Sequence, residues 1–243
     1  MHTTKLLYLE DFTVLEAPAI IVDLMQEENK TIIILDQTIF YPQGGGQPFD
    51  QGIIENIKGK FIVKEVRFID GIVRHMGNFE HGSFSQGDEV ICIVNKERRE
   101  LHSRLHSAGH VVDMAVTSLK FGWIPGKGYH FPDGPYVEYA GSLEGIDKEK
   151  LKTNIENLCN SFIAEARETK LIFMDKEEMK KVCHHVPEYL PAGKPTRVVM
   201  YGDFGVPCGG THVSNLRDIK KMVIRKIRQD GPNIRVSYDV KEI

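Results

Sequence analysis

Residues 101–119, with the sequence LHSRLHSAGHVVDMAVTSL, are the segment around which the chain is organised. Apolar residues recur here at steps of three and four, which predicts one face of an amphipathic helix. Three histidines flank that face, each four residues from the next, and neighbours on a helix can present two imidazoles to one metal ion. The apolar residues are Leu101, Leu105, Ala108, Val112, Ala115 and Leu119, and the histidines are His102, His106 and His110.

A second group of candidate ligands lies about a hundred residues further on, in the sequence PCGGTHV, residues 207–213. Cys208 and His212 are separated by two glycines and a threonine, and the glycines predict a loop leaving a strand rather than a helix. Two of the helical histidines together with Cys208 and His212 would form a set of ligands suited to zinc. The alternative is that Cys208 is a small buried apolar residue and His212 a surface residue. Because both pairs are present, we favour zinc.

Composition limits the classes of protein to consider. The chain has 243 residues, with 41% hydrophobic and 27% charged residues, which is typical of a globular protein with one large domain or two smaller ones. A formal net charge of −3 argues against binding nucleic acid through bulk charge, although a local basic patch remains compatible with it. The sequence predicts no membrane span and no signal peptide. Four cysteines without a framework-like spacing predict a reduced, cytoplasmic protein.

The order of the predicted elements suggests two domains. Short β-like runs at 5–9, 20–25, 31–35, 61–68 and 89–94 predict a small antiparallel β-barrel. Beyond residue 95, long helices are predicted at 96–119 and 147–169, together with several strands. The predicted fold class is therefore α+β, with an N-terminal barrel at 1–95. A two-layer α/β domain, in which helices pack on a mostly antiparallel sheet, follows at 96–243.

Two further segments allow more than one interpretation. The sequence YPQGGGQPFDQG, residues 41–52, is by itself more typical of a flexible hairpin than of a ligand loop, although Gln43 and Gln47 add amide groups that a hairpin does not need. Residues 217–228 contain six basic residues and one acid. They form either a solvated face or a contact with phosphate groups, and the sequence does not separate these two interpretations.

The pattern around the histidines narrows the chemistry. Zinc peptidases of the His-Glu type need a glutamate directly after the first histidine, and this chain has Ser107 after His106. Two possibilities remain. One is a closed structural zinc site, and the other is a zinc hydrolase that acts on esters or amides. Structural sites usually contain more thiolates than the single cysteine here. Gly109 within the helix destabilises it by roughly 1 kcal/mol relative to alanine. A need for space for a substrate beside the metal would explain why glycine is present.

Taken together, HSAGH, PCGGTHV and YPQGGGQPFDQG resemble the alanyl-tRNA editing proteins of the AlaX type, in particular their medium-length form. These are free-standing relatives of the editing domain of alanyl-tRNA synthetase and of the second N-terminal domain of threonyl-tRNA synthetase. The resemblance implies a zinc-dependent deacylase that removes serine, with glycine as a second candidate, from mischarged tRNA(Ala). It assigns Zn²⁺ to His106, His110, Cys208 and His212. The family usually reads His-Thr-Ala-Thr-His, so Ser107 and Gly109 are departures from its pattern.

The resemblance also implies roles for further residues. A site that rejects alanine while accepting serine needs groups that pair with the serine hydroxyl. The expected catalytic residues are Ser107 and Thr211, which would pair with that hydroxyl, and Gly209 and Gly210, whose N–H groups would stabilise the oxyanion. The expected substrate-binding residues are Gln43, Gly45, Gly46 and Gln47 in the glycine-rich loop and Lys220, Lys221 and Arg225 against the acceptor stem and 3′ end.

Two alternative functions remain at this point. One is a non-catalytic tRNA- or RNA-binding module with a structural zinc, and the other is a zinc hydrolase acting on a different small ester or amide. No obligate protein partner is inferred.

Overall fold

The computed structural model describes residues 3–27, 30–190 and 195–242. The chain divides into two compact units, one formed by Met1–Gly44 with Pro48–Leu101 and the other by Gly45–Gln47 with His102–Ile243. The fold is α+β, with a closed antiparallel barrel in the first unit and helices with antiparallel sheets in the second, which confirms the predicted fold class. The predicted functional boundary after residue 95 stays a prediction. In the described ranges, no helix combines the length and the apolar character that crossing a membrane requires.

The first unit is a six-stranded barrel in which each strand pairs antiparallel with its neighbours, in the order β2-β3-β7-β6-β5-β8. Alternate residues of these strands point inward, as Val90, Cys92 and Val94 do in the last strand, and form one apolar core. A short strand pair and one helical turn accompany the barrel. The elements are β1 (Lys5–Leu6), α1 (Leu7–Glu10), β2 (Glu16–Glu27), β3 (Lys30–Leu35), β4 (Gln37–Thr38), β5 (Gly52–Asn56), β6 (Gly59–Ile69), β7 (Ile72–Gly82) and β8 (Glu89–Val94).

The predicted strand at 5–9 is wrong beyond Leu6, because the chain turns there into the short helix α1. The backbone N–H of Asp11 donates to the carbonyl of Leu7 over 3.0 Å, which closes the helical turn. Tyr8 packs edge-on against Tyr41, with 5.3 Å between ring centroids. A short apolar run such as this one does not distinguish a strand from a helix by its own pattern.

A buried ion pair ties the start of α2 (Lys96–Ser118) to the barrel. Arg99 and Asp50 are 3% and 0% exposed in their side chains, and Nε of Arg99 lies 3.1 Å and 3.0 Å from the two carboxylate oxygens. The guanidinium also donates to the carbonyls of Phe12 and Ile39 over 2.8 Å and 2.6 Å. Asp50 in turn accepts the backbone N–H of Tyr41 over 2.7 Å. The two charges are therefore extensively paired inside the first unit.

The second unit contains the rest of α2 and two antiparallel sheets, ordered β14-β15-β10-β9 and β11-β12-β13. Val111, Val112 and Ala115 of α2 belong to one apolar core together with residues of α3 and the first of these sheets. The elements are β9 (Ile124–Tyr129), β10 (Tyr136–Ala140), α3 (Lys148–Ala164), β11 (Thr169–Met174), α4 (Lys176–Val182), β12 (Thr196–Tyr201), β13 (Phe204–Pro207), a 3-10 helix (Leu216–Ile219), β14 (Lys221–Asp230) and β15 (Asn233–Lys241).

The second long helix begins where the sequence predicts and ends earlier. Asp147 caps its start by accepting the backbone N–H groups of Glu149 and Lys150. The helix ends at Ala164 rather than near residue 169, because Ala166 adopts a φ of 53°, which an α-helix cannot continue. The strand β9 was not predicted, since its sequence IPGKGY contains a proline and two glycines.

Candidate metal centre

Four side chains of the second unit form a group that can hold a metal ion. His106 and His110 lie on α2, whereas Cys208 and His212 lie in the loop that follows β13. One potential ligand atom from each lies within 4.8 Å of those of the other three. The three histidines are buried and Cys208 is half-buried, and the next residue, Gly209, is exposed. The group thus lies just beneath the surface, and its two halves come from segments about a hundred residues apart.

A hydrogen bond from Gln47 orients the first histidine. Nδ1 of His106 lies 2.7 Å from Oε1 of Gln47. That oxygen also accepts the backbone N–H of Thr211 over 3.0 Å, so it acts as an acceptor and the proton belongs to Nδ1. A histidine whose Nδ1–H donates keeps the lone pair of Nε2 for a metal ion. Nε2 of His106 accordingly lies toward the centre of the group, 3.3 Å from Sγ of Cys208.

The other two histidines also contact a neighbouring side chain through Nδ1. Nδ1 of His110 lies 3.4 Å from a carboxylate oxygen of Asp113, and Nδ1 of His212 lies 3.0 Å from the hydroxyl oxygen of Tyr201. Across the described residues, Nε2 of His110 is buried and has no hydrogen-bond partner. A buried ring nitrogen without a partner is costly unless a ligand satisfies it, and a metal ion would do so.

The protonation of Cys208 and His110 favours metal binding at the cysteine. Burial alone would raise the pKa of Cys208, but the neighbouring His110 and Arg197 lower it below its ordinary value. The thiolate is the form that binds metal. Burial would lower the pKa of His110, but Asp113 and Cys208 raise it to about 9. Binding a metal at His110 must therefore displace a proton near neutral pH.

Arg197 holds the loop that supplies Cys208 and His212. Its Nε donates to the carbonyl of Cys208 over 2.7 Å, and its guanidinium also donates to the carbonyl of Gly210. A Cβ at Gly210 would lie 2.1 Å from Cε1 of His106, so only glycine allows the loop to approach the helix this closely. Arg197 was missed from the sequence. The signal in the sequence is a basic residue within the apolar run TRVVMY, and in the structure this residue is only 3% exposed.

The predicted hydroxyl residues are fully buried and have partners within the second unit. Oγ of Ser107 accepts the backbone N–H of Val213 over 3.0 Å. Oγ1 of Thr211 accepts from Nε2 of Gln47 over 2.9 Å and lies 2.7 Å from Oγ of Ser103. These bonds fix the loop against α2. Direct contact of Ser107 or Thr211 with a substrate stays a prediction.

Most of the remaining predicted residues lie at the surface or partly so, whereas Gly210 is buried. Gly210 donates its N–H to Sγ of Cys208 over 3.4 Å, so its predicted role in stabilising an oxyanion stays a prediction, as does that of Gly209. Gln43 belongs to the first unit and is exposed. The exposed residues also include Gly45, Lys220, Lys221 and Arg225, whereas Gly46 is half-buried.

Two parts of the chain match known protein families. Residues 5–98 match the family described as tRNA synthetases class II (A). Residues 196–235, which include Cys208 and His212, match the family described as threonyl and alanyl tRNA synthetase second additional domain.

Curated relatives cover most of the chain. It is 28% identical to the alanine–tRNA ligase of Haloquadratum walsbyi, in an alignment that covers 94% of this chain and 25% of the ligase. It is 29% identical to the alanyl-tRNA editing protein AlaX-M of Methanosarcina barkeri, over 97% of this chain and 98% of that protein. It is also 26% identical to the alanyl-tRNA editing protein AlaX-L of Pyrococcus horikoshii, over 93% of this chain and 55% of that protein. The chain thus spans about a quarter of the length of the alanine–tRNA ligases that it matches.

Proposed function

Because this chain belongs to the family of the alanyl-tRNA editing proteins, we propose that it is a deacylase that removes chiefly wrongly attached serine, with glycine as a second candidate substrate, from tRNA(Ala) at a zinc site. The observation that carries the proposal is the convergence of His106, His110, Cys208 and His212, with ligand atoms within 4.8 Å of one another. We also expect the activity in the cytoplasm, in keeping with four free cysteines.

The ligand set fits zinc. Three imidazoles and one thiolate are ligands of intermediate softness, which zinc prefers over magnesium or calcium. The Nδ1 contacts of the three histidines resemble the outer hydrogen bonds that orient metal-binding imidazoles and raise their basicity. When bound, zinc can polarise an ester carbonyl or lower the pKa of a water molecule.

The chain's own residues would supply the discrimination. Alanine differs from serine only by the absence of a hydroxyl group. A site whose polar groups pair with that hydroxyl leaves them unpaired when alanine is present, which can reject it by about 10⁴-fold. Gln47 and Thr211 meet beside His106 through a hydrogen bond of 2.9 Å. We propose that these amide and hydroxyl groups, with Ser107, read the substrate hydroxyl.

One observation favours a second candidate function, an RNA-binding module with a structural zinc. Four protein ligands would close a tetrahedral site, as structural zinc sites do, whereas catalytic sites usually keep one position for water or substrate. The single cysteine favours the catalytic candidate, because structural sites usually contain more thiolates.

A deacylation panel tests the proposal. The zinc-loaded chain is incubated with tRNA(Ala) charged with serine, glycine or alanine, and with the free methyl esters of the same amino acids, while metal content is measured on the same preparation. We expect release of serine, no release of alanine, and little hydrolysis of the free esters. Glycine also lacks the hydroxyl group, so its release would show that the site excludes the methyl group of alanine in addition to reading the serine hydroxyl. Release of none of the three would favour the structural module. Hydrolysis of esters independent of the tRNA would favour a general esterase.

Contacts with tRNA are proposed at Lys220 and Lys221, which are exposed at the start of β14. Arg225 is less suited to a test, because its guanidinium donates to the carbonyls of Tyr238 and Pro135 over 3.1 Å each. It also pairs with Asp239 at 3.3 Å. Charge reversal at Arg225 would therefore disturb the sheet as well as any contact with phosphate.

The double variant Lys220→Glu/Lys221→Glu should raise the KM for charged tRNA several-fold and lower kcat much less, because phosphate contacts contribute to binding rather than to the chemical step. The dependence of binding on salt should weaken by about one unit of slope per lost contact. The control is Lys148→Glu/Lys150→Glu, which makes the same charge change at exposed positions of α3. An equal rise of KM in both variants would show a bulk charge effect and contradict the assignment.

A further inference from the structure

His130 follows β9 and is 4% exposed, although nothing in its sequence surroundings marks it as part of the metal centre. Its ring stacks on that of His106, with 4.5 Å between centroids and 19° between planes. Its Nδ1 lies 2.6 Å from the hydroxyl oxygen of Tyr238. That hydroxyl donates to the carbonyl of Leu105 over 2.9 Å, so its oxygen accepts from Nδ1–H of His130. The imidazole is thus held in one orientation, face to face with a candidate metal ligand.

The backbone of His130 holds the segment that orients the same ligand. Its N–H donates to the carbonyl of Gly46 over 2.8 Å. The next residue, Gln47, contacts Nδ1 of His106 over 2.7 Å. A Cβ at Gly46 would lie 2.2 Å from the carbonyl oxygen of Gly128, so the segment and β9 approach as closely as glycine permits. His130 therefore contacts His106 directly through its ring and indirectly through Gly46 and Gln47.

Gly109 provides the space that the His130 ring occupies. A Cβ at Gly109 would lie 2.4 Å from Cε1 and 2.8 Å from Nδ1 of His130, and 3.1 Å from the hydroxyl of Tyr238. Real Cβ atoms essentially never approach a neighbour this closely, so a methyl group at residue 109 would force the His130 ring to shift. Because the same ring stacks on His106, such a shift would disturb that contact. Gly109 and His130 are therefore sterically coupled.

We propose that Gly109 and His130 act as a positioning pair for the metal centre. Gly109 leaves room for the imidazole of His130, which supports the ring of His106, while the backbone of His130 anchors the 45–47 segment that orients it. His130 acts through His106 and Gln47 and is a positioning residue. The expected effect on deacylation rests on the proposed function, whereas the expected effect on zinc affinity is tested independently of it.

The test uses the full chain with four variants: His130→Ala, His130→Phe, Gly109→Ala and the double variant Gly109→Ala/His130→Ala. Zinc is removed and titrated back against a chromogenic chelator, and kcat and KM are measured with Ser-tRNA(Ala). Circular dichroism checks the fold. His81→Ala, at a side chain that is 67% exposed in the first unit, is the control.

We expect His130→Ala to weaken zinc binding by about 10- to 100-fold, in the range typical for partners that orient a metal ligand, and to lower kcat more than it changes KM. His130→Phe keeps an aromatic ring against His106 and should lose less. Gly109→Ala should weaken zinc binding when His130 is present and should change it little once His130 is alanine. This difference is measured as zinc affinity and does not require deacylation. If no variant released serine, the result would count against the proposed function but not against the positioning pair.

Wild-type zinc affinity in a folded His130→Ala variant would overturn the inference. So would additive losses in the double variant, because a steric pair must show non-additive effects. If His130→Ala does not fold, Gly109→Ala and His130→Phe still decide: wild-type zinc affinity in a folded Gly109→Ala variant would reject the pair.

Discussion

Replacement of Cys208 by alanine should remove both the bound metal and the deacylation of Ser-tRNA(Ala). Its thiolate is the one soft ligand of the set, and its loss would leave three histidines and one empty coordination position. Outer partners of metal ligands alone typically contribute about 10- to 100-fold to metal affinity or activity. Loss of a ligand should therefore lower kcat/KM by at least about 100-fold. Metal content and deacylation rate, measured on one preparation, check this.

His110→Ala should give the same two losses, because Nε2 of His110 has no other partner among the described side chains. His81→Ala is the matched control and should change neither quantity, since His81 is exposed in the barrel. A Cys208→Ala variant that is free of metal and deacylates at the wild-type rate would show that zinc has no part in the reaction.

The largest effect on stability is expected at Asp50. Asp50→Ala leaves the guanidinium of Arg99 buried without its carboxylate, and removal of one partner of a buried ion pair typically destabilises by about 3–5 kcal/mol. It also removes the acceptor for the N–H of Tyr41. Urea unfolding followed by circular dichroism measures the loss.

Two comparisons test the explanation for Asp50. Glu10→Ala breaks an ion pair in the same unit whose side chains are both 57% exposed, and should change stability by less than about 1 kcal/mol. Asp50→Leu/Arg99→Met removes both charges and should be more stable than Asp50→Ala, since no unpaired charge remains. If Asp50→Ala is no less stable than Glu10→Ala, the ion pair does not hold the barrel.

The sequence predicted the fold class and several elements closely, where hydrophobic periodicity is strong. The strand β8 has the predicted bounds, because it is an apolar run flanked by polar residues. The prediction failed where the residues of a segment are untypical of the element that contacts with the rest of the fold stabilise. In the strand β9, a Cβ at Gly128 would lie 2.4 Å from Nε2 of His130, and the carbonyl of Gly128 approaches Gly46 closely because Gly46 has no Cβ. A pattern of apolar residues cannot reveal such contacts.

The site was predicted unevenly for a similar reason. The four candidate metal ligands carry recognisable spacings, and the structure brings them together. Arg197, Tyr201, Asp113 and His130 act through hydrogen bonds and stacking between elements far apart in the sequence. The sequence suggested that Gly109 leaves room for a substrate. In the structure, the His130 ring occupies the space beside the Cα of Gly109.

Gly45–Gln47 belongs with the second unit although the residues on both sides belong to the first. A fragment that began at residue 96 or 102 would thus contain all four candidate ligands and still lack the amide oxygen that receives the proton of His106. Excision of the C-terminal half would therefore leave Nδ1 of this imidazole without its acceptor and the tautomer of the ring unfixed. A shortened version of this protein would need a replacement acceptor, delivered from another part of the chain.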